Sequence, residues 1–148
     1  MVEDIYNFLP LTDKLLCSGM PTADQLKSAA EAKVGVVVNL APFEPGRDLQ
    51  DEGALVESLG LKYINIPVDW ELPTSQNLED FFKVMDENQN QKLLVHCRAN
   101  YRATCFIALY RIKRLGWERR QAFEDLRRIW NPDEVPVWKS FIEVALSK

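Results

Sequence analysis

The sequence has no long apolar run and no leader-like start. No segment approaches the roughly twenty consecutive apolar residues that cross a bilayer. The opening Met1-Val2-Glu3-Asp4 lacks the order of basic and then apolar residues that is typical of a signal peptide. We therefore expect a soluble, cytoplasmic protein with no membrane span, although a leader removed before this start would leave no trace.

The sequence also has little histidine and cysteine, and it has no excess of positive charge. The chain has one histidine and three cysteines, Cys17, Cys97 and Cys105, none of them spaced like paired zinc ligands. We expect no metal, no cofactor and a reducing compartment. The net charge of −4 argues against a nucleic-acid partner. A run of seven basic residues between Arg111 and Arg128 is interpreted as a solvated helix face.

With 148 residues and 47% hydrophobic content, the chain has the size of one compact domain over residues 1–148. Its most informative stretch runs from Leu93 to Thr104. Short apolar residues lead into His96-Cys97, Arg102 follows, and a long apolar helical pattern begins at once. The order predicts strand, loop and helix.

Such a junction favours anions, because the loop and helix start turn unpaired backbone N–H groups toward the positive end of the helix dipole. The loop residues Arg98, Ala99, Asn100 and Tyr101, with Ala103, are the candidate substrate-binding residues. Cys97 is expected to be held as a thiolate nucleophile, since helix N-termini and nearby cations favour the charged sulfur. Arg102 offers a planar fork of donors that matches two oxygens of a tetrahedral anion.

A plainer interpretation stays open for the same residues. A cysteine after a buried strand is often a small packing residue, and Arg102 could be an ordinary arginine at a helix start. Cys17 and Cys105 are predicted to lie in the core, although either could shield an oxidised Cys97 as a disulfide.

The remaining pattern alternates strands and helices. It predicts these segments in order: irregular 1–14, strand 14–19, helix to 33 with Thr22 and Gln25 as capping box, strand 34–40, helix 48–59, strand 62–68, helix 78–88, strand 92–96, the helix after the loop, and helices 118–130 and 137–148. This alternation predicts an α/β fold, a three-layer sandwich around a mainly parallel sheet of four to five strands. Ligands then lie beyond the carboxyl ends of the strands.

Two acids follow the strand 62–68 at that same edge. A carboxylic acid over the leaving oxygen of a phosphoester could supply its proton, and Asp69 is preferred because it directly follows the strand. Glu71 is the reserve, and both could equally be solvated turn residues. His96 is expected to hold loop carbonyls from inside the domain. Thr104 is expected to cap the helix or to hydrogen-bond the cysteine sulfur.

The order strand, His-Cys, loop, Arg, helix, with an acidic loop upstream, resembles the cysteine-dependent protein tyrosine and dual-specificity phosphatases. A small bacterial family of phosphatases, also found as the phosphatase-like part of β-lactamase-hydrolase-like proteins, is more similar still. The segments that carry this resemblance are 18–22, 36–40, 66–69 and the Cys97 loop. It implies a dual-specificity-phosphatase-like fold and a phosphocysteine intermediate, with Cys97 as nucleophile, Arg102 as phosphate clamp and Asp69 as general acid. The substrate would be a phosphorylated protein or small molecule.

Three features depart from that family. Four residues separate Cys97 from Arg102, where the usual loop has five. Asn100 stands where glycine is common, and Asn enters the left-handed region more readily than most residues. Ala103 replaces a hydroxyl residue that assists hydrolysis of the intermediate, a role that Thr104 could take.

The short loop is also the length found in rhodanese-like sulfurtransferases, so a Cys97 persulfide is an alternative. A non-catalytic phosphate-binding module is another.

Overall fold

The structure is a computed structural model and describes residues 1–147. A five-stranded sheet runs through it in the order β1-β2-β5-β3-β4. Four strands are parallel, and β1 pairs antiparallel with β2 at one edge. The strands are β1 (Leu9–Thr12), β2 (Leu15–Ser18), β3 (Val36–Asn39), β4 (Lys62–Asn65) and β5 (Leu93–His96). This confirms the predicted α/β class and its mainly parallel sheet.

Helices cover both faces of this sheet. They are α1 (Ala23–Glu31), α2 (Glu52–Ser58), α3 (Ser75–Glu87), α4 (Tyr101–Lys113), α5 (Arg119–Arg127) and α6 (Pro136–Leu146), with 3₁₀ turns at Val2–Asp4 and Pro132–Glu134. The prediction that the last helix reaches Lys148 lies, for that residue, outside the described part of the chain. Within that part, no helix is long and apolar enough to cross a membrane.

Alternating strand residues build the two cores. Leu16, Val37 and Leu94 face the smaller core, which α1 and α2 complete. Their neighbours Val38 and Val95 face the larger core, which α3, α4, α5 and α6 complete. Because successive side chains of a strand point to opposite faces, a fully apolar strand must be covered on both sides. This explains the three layers.

Several boundaries differ from the prediction. Strand β4 ends at Asn65 instead of 68, so that Asp69 does not directly follow it, and α3 begins at Ser75. Two further differences have a clear physical cause. Residues 1–14 are not wholly irregular, because β1 forms there despite Pro10. Proline lacks an N–H donor but is tolerated on an edge strand, and β1 is an edge with an irregular register between Pro10 and Thr12. In addition, α2 begins only at Glu52, since Asp51 has a left-handed backbone with φ of 54°. Asp48 is thereby left in the preceding loop.

Helix α4 lies between the sheet and the other helices. Ten of its residues, from Arg102 to Arg111, are buried. Its N-terminus faces the carboxyl end of β5, and the basic residues Arg111, Lys113 and Arg114 lie at its far end. Arg111 and Arg114 are paired there with Asp125 and Asp86 at 2.7 and 2.8 Å. These three residues of the cationic run therefore lie away from the Cys97 loop, and Arg111 is buried rather than part of a solvated face.

Candidate active site

Cys97 lies at the floor of a cavity of about 570 Å³ beyond the carboxyl end of β5. Its side chain is almost fully buried, at 1% exposure, but it lines this cavity. Arg102 also lines the cavity from the first turn of α4. The structure thus brings the predicted nucleophile and the predicted phosphate clamp to one space that is open to solvent.

The loop after Cys97 turns its carbonyl groups away from the cavity, into the surrounding protein. The carbonyl of Arg98 accepts the N–H of Met20 at 3.0 Å, and that of Ala99 accepts the side-chain amide of Asn7 at 2.9 Å. The carbonyl of Asn100 accepts the Thr104 hydroxyl at 2.7 Å. Because a trans peptide points its N–H opposite to its carbonyl, this arrangement aims the loop N–H groups at the cavity.

Asn100 occupies the left-handed position that the sequence assigned to it, with φ of 68°. Its side-chain amide donates to the Asn7 carbonyl at 2.9 Å and to the Cys17 sulfur at 3.4 Å. Asn7 and Asn100 therefore tie the N-terminal segment to the loop in both directions. This contact could not be predicted from the sequence, because Asn7 lies in a segment predicted to be irregular.

Gly19 is needed for the same tie. A Cβ at this position would lie 2.5 Å from the Arg98 carbonyl oxygen and 2.9 Å from the Tyr6 ring. Its own N–H donates to the Tyr6 carbonyl at 2.7 Å. A side chain at position 19 would therefore push the Cys97 loop out of place.

Arg102 is held by burial and by one hydrogen bond. Its Nη1 donates to the Val68 carbonyl at 2.8 Å, which joins α4 to the segment before Asp69. Burial and the charge of Arg98 lower the pKa of the Arg102 guanidinium, while the charges of Cys97 and Asp69 act in the opposite sense. An arginine stays charged under such a shift, so the cavity keeps a fixed cation beside the sulfur.

Arg98 points elsewhere. Its guanidinium binds the Asp48 carboxylate and the Pro42 carbonyl, and Glu44 lies 3.5 Å away. Burial of Asp48 alone would raise its pKa, but hydrogen bonds from Arg98 and the Glu44 N–H, with the charges of Arg98 and Arg47, hold the pKa of this carboxyl below its usual value. The Arg98 side chain thus fastens the loop 41–48 to the site, and the part of Arg98 left for an anion is its backbone N–H.

Asp69 and Glu71 are both exposed, and neither side chain lines the cavity that holds Cys97. Asp69 lies close enough to Arg102 for their charges to interact, and its Oδ1 accepts the Glu71 N–H at 2.9 Å. Glu71 instead lines a separate apolar groove with Leu72 and residues of α6.

An aromatic cluster supports the loop that carries Asp69. Trp70 packs against Tyr101, Trp130 and Trp138 at centroid distances of 6.0, 5.5 and 5.3 Å. Tyr101 stacks on Trp130 at 4.9 Å. Trp70 and Tyr101 also line the mouth of the cavity, together with the exposed Phe43. The packing of Trp130 and Trp138 against Trp70 was missed in the sequence, where both residues indicated only amphipathic helices.

Thr104 has a different place from the one expected. It lies one turn inside α4, since the N-cap position is Asn100. Its hydroxyl donates to the Asn100 carbonyl and accepts the indole N–H of Trp130 at 3.1 Å. Thr104 therefore neither caps the helix nor hydrogen-bonds the Cys97 sulfur. Its neighbour Ala103 is fully buried.

His96 is fully buried behind the loop. Its Nδ1 lies 3.3 Å from the Cys97 carbonyl oxygen, and its Nε2 lies 2.7 Å from Oε2 of Glu52, a residue that the sequence did not single out.

Cys17 and Cys105 are buried as well. Burial raises the pKa of the Cys17 thiol to about 12 and raises that of Cys105 further. Within residues 1–147, no group of three or more His, Cys, Asp or Glu side chains could hold a metal ion.

Solved structures with the same fold place this site in context. A DUF442 protein from Shewanella putrefaciens CN-32 is 34% identical, with 99% of this chain and 95% of that chain covered and a TM-score of 0.89. Two more distant structures share the fold. TpbA of P. aeruginosa is 18% identical over 93% of this chain and 84% of its own, with a TM-score of 0.74. The catalytic domain of the PP-IP phosphatase SIW14 from S. cerevisiae is 23% identical over 94% and 85%, with a TM-score of 0.75.

No protein with a curated description matches the sequence. Residues 14–115, however, match the family Tc-R-P, described as polymorphic toxin system, DSP-PTPase phosphatase. This match covers the strands β2 to β5 and the helix α4, and hence the Cys97 loop. The chain therefore belongs to the DSP-PTPase phosphatase family, and it is a cysteine-dependent phosphatase.

Proposed function

We propose that the protein hydrolyses a phosphomonoester in two steps through a phosphocysteine at Cys97. The observation that carries this proposal is the common cavity of Cys97 and Arg102 at the head of α4. The loop carbonyls point away from the cavity, and this supports the proposal because the loop N–H groups are then free to bind the phosphoryl oxygens. Arg98, Ala99, Asn100, Tyr101 and Ala103 would contribute through their backbone.

In the first step the Cys97 thiolate attacks phosphorus, so that the S–P bond forms and the bond to the ester oxygen breaks. Asp69 gives its proton to that leaving oxygen. In the second step water attacks phosphorus, the S–P bond breaks, and Asp69 takes a proton from the water. Phosphate leaves and the thiolate is restored. Arg102 binds two of the phosphoryl oxygens throughout.

Asp69 is preferred to Glu71 as the general acid on two grounds. Its charge reaches Arg102, whereas Glu71 faces the groove beside α6. The Asp69 carboxylate is also held, because its Oδ1 accepts the N–H of the Trp70–Glu71 peptide, whose carbonyl is in turn hydrogen-bonded to Trp138. A general acid needs such a held position over the leaving oxygen.

The substrate is a phosphorylated protein side chain or a small phosphoester. The aromatic mouth formed by Phe43, Trp70 and Tyr101 supports aryl phosphates as assay substrates, since flat rings pack well on such side chains. The family match favours this reaction over the sulfurtransferase and the non-catalytic binding module.

The test uses p-nitrophenyl phosphate with wild type, Cys97→Ser and, as a matched control, Cys105→Ala. We expect Cys97→Ser to release no phosphate but to keep binding inorganic phosphate, and Cys105→Ala to stay active. Rapid acid quench with labelled substrate should trap one phosphoryl group on Cys97. A Cys97→Ser protein that turns over at the wild-type rate would refute the nucleophile assignment.

A further inference from the structure

A buried carboxylate stands behind the Cys97 loop without a part in the mechanism above. Glu52 begins α2 and is only 7% exposed, and it contacts His96, which ends β5 and is fully buried. Burying an ion pair stabilises a fold little, and apolar residues of the same volume often do as well or better. The contact therefore calls for a reason beyond stability.

The hydrogen-bond geometry restricts where the protons lie. The Cys97 carbonyl oxygen can only accept, so the His96 Nδ1, 3.3 Å away, must carry a hydrogen. The Nε2 then either donates to Glu52 or accepts a proton that Glu52 holds, at 2.7 Å. In both forms the Glu52 carboxyl group fixes the ring so that Nδ1–H faces the Cys97 carbonyl. A ring without this partner could rotate or change its tautomer.

The orientation of the Cys97 carbonyl decides the direction of the next N–H. A trans peptide is planar, so a carbonyl held toward His96 turns the Arg98 N–H to the opposite side. That side is the cavity, which Arg98 lines. The Cys97 N–H, on its other flank, is bonded to the Ser18 carbonyl at 3.3 Å. The peptide units on both sides of the nucleophile thus have a fixed direction.

We propose that Glu52 is a positioning residue, which acts through His96 to hold the Cys97 peptide in the geometry that aims the sulfur and the Arg98 N–H at the substrate phosphoryl group. This inference rests on the proposed function of Cys97. It assigns to α2 a role in the reaction, although this helix contributes no residue to the cavity.

The experiment compares Glu52→Ala and Glu52→Gln with Glu57→Gln, an exposed change in the same helix. With p-nitrophenyl phosphate, we expect kcat of Glu52→Ala to fall about 10- to 100-fold, the scale of a misplaced reacting group, while KM changes less than about twofold. Glu52→Gln should recover part of the loss, because an amide can still hydrogen-bond Nε2. Glu57→Gln should match wild type. Each rate is divided by the folded fraction from circular dichroism.

A wild-type kcat in folded Glu52→Ala would overturn the proposal, and so would a loss that the unfolded fraction explains. Two further readouts need no turnover. Alkylation of Cys97 by iodoacetate should slow in Glu52→Ala, and the ¹⁵N spectrum of the single histidine of the wild type should show Nδ1 protonated. An unprotonated Nδ1 in the wild-type protein would by itself overturn the proposal. If Cys97→Ser kept its activity while both readouts came out as expected, the Glu52–His96 contact would still orient the Cys97 peptide, but the phosphocysteine mechanism would fail and, with it, the role of Glu52 in the reaction.

Discussion

Trp138 donates its indole N–H to the backbone carbonyl of Trp70 at 2.8 Å, and this bond joins α6 to the loop that carries Asp69. Trp138 is fully buried and packs on Trp70 at 5.3 Å. The far C-terminal helix therefore holds the proposed general acid from behind. A chain cut before α6 would keep Cys97 and Arg102 but lose this support.

Replacing Trp138 by Phe removes that donor and leaves a carbonyl without its partner. We expect a loss of about 1–3 kcal/mol in the free energy of unfolding, the usual cost of an unpaired buried polar group. Activity should fall more on aryl phosphates with poor leaving groups than on those with good ones. Trp117→Phe, at the far end of α4, is the control and should leave the leaving-group dependence unchanged. If the rates of both variants depended on the leaving group in the same way, Trp138 would have no role in holding the loop of Asp69.

The two acids after β4 can be separated in the same assay. Asp69→Asn should slow phenyl phosphate hydrolysis about 100-fold or more, the range that general acids supply, and slow 2,4-dinitrophenyl phosphate far less, because that leaving group needs no proton. Glu71→Gln is the matched control and should behave like wild type. The measurement is kcat across a series of substituted phenyl phosphates. If Asp69→Asn lowered kcat equally for all leaving groups, Asp69 would not be the general acid.

The Asp48–Arg98 contact predicts a pH-dependent stability. The folded-state pKa of Asp48 is lowered, so its stabilising contribution is complete above its unfolded value of about 3.9 and is lost as the pH falls through the lower folded value. At pH 7, Asp48→Asn should lower the free energy of unfolding by about 1–3 kcal/mol. The deficit relative to wild type should shrink below about pH 4.

Denaturant unfolding at pH 7 and pH 3 measures this difference. Asp51→Asn is the control, because Asp51 is exposed and has the left-handed backbone that asparagine also tolerates. It removes the same formal charge three residues away. A deficit for Asp48→Asn that is equal at both pH values would mean that the carboxylate charge contributes nothing.

The three cysteines should differ in reactivity. At pH 7 we expect iodoacetate to label Cys97 alone, since the pKa values of Cys17 and Cys105 are raised by burial and almost no thiolate forms there. Inorganic phosphate should protect Cys97 by filling the same cavity. Peptide mass mapping after about one equivalent of labelling checks both points. Labelling of Cys17 before Cys97 would contradict this assignment.

Local sequence determined the frame of this protein. The run of β-branched residues in β3 could be buried only between two helical layers, and the apolar pattern of α4 required a helix inside the fold. The order His96, Cys97, Arg102 then brought a thiol and a guanidinium to one helix start, because strand, loop and helix follow one another directly. Asn100 could be expected at a left-handed position, since its short polar side chain tolerates one.

Tertiary structure decided what surrounds that loop. Asn7, Asp48, Glu52 and Trp138 lie far from Cys97 in the chain, and no spacing rule links them to it. They meet the site because the parallel sheet brings its carboxyl ends together and the helices pack over them. A short motif can specify the reacting groups, but the direction of a carbonyl or a side chain depends on partners that only the complete packing supplies.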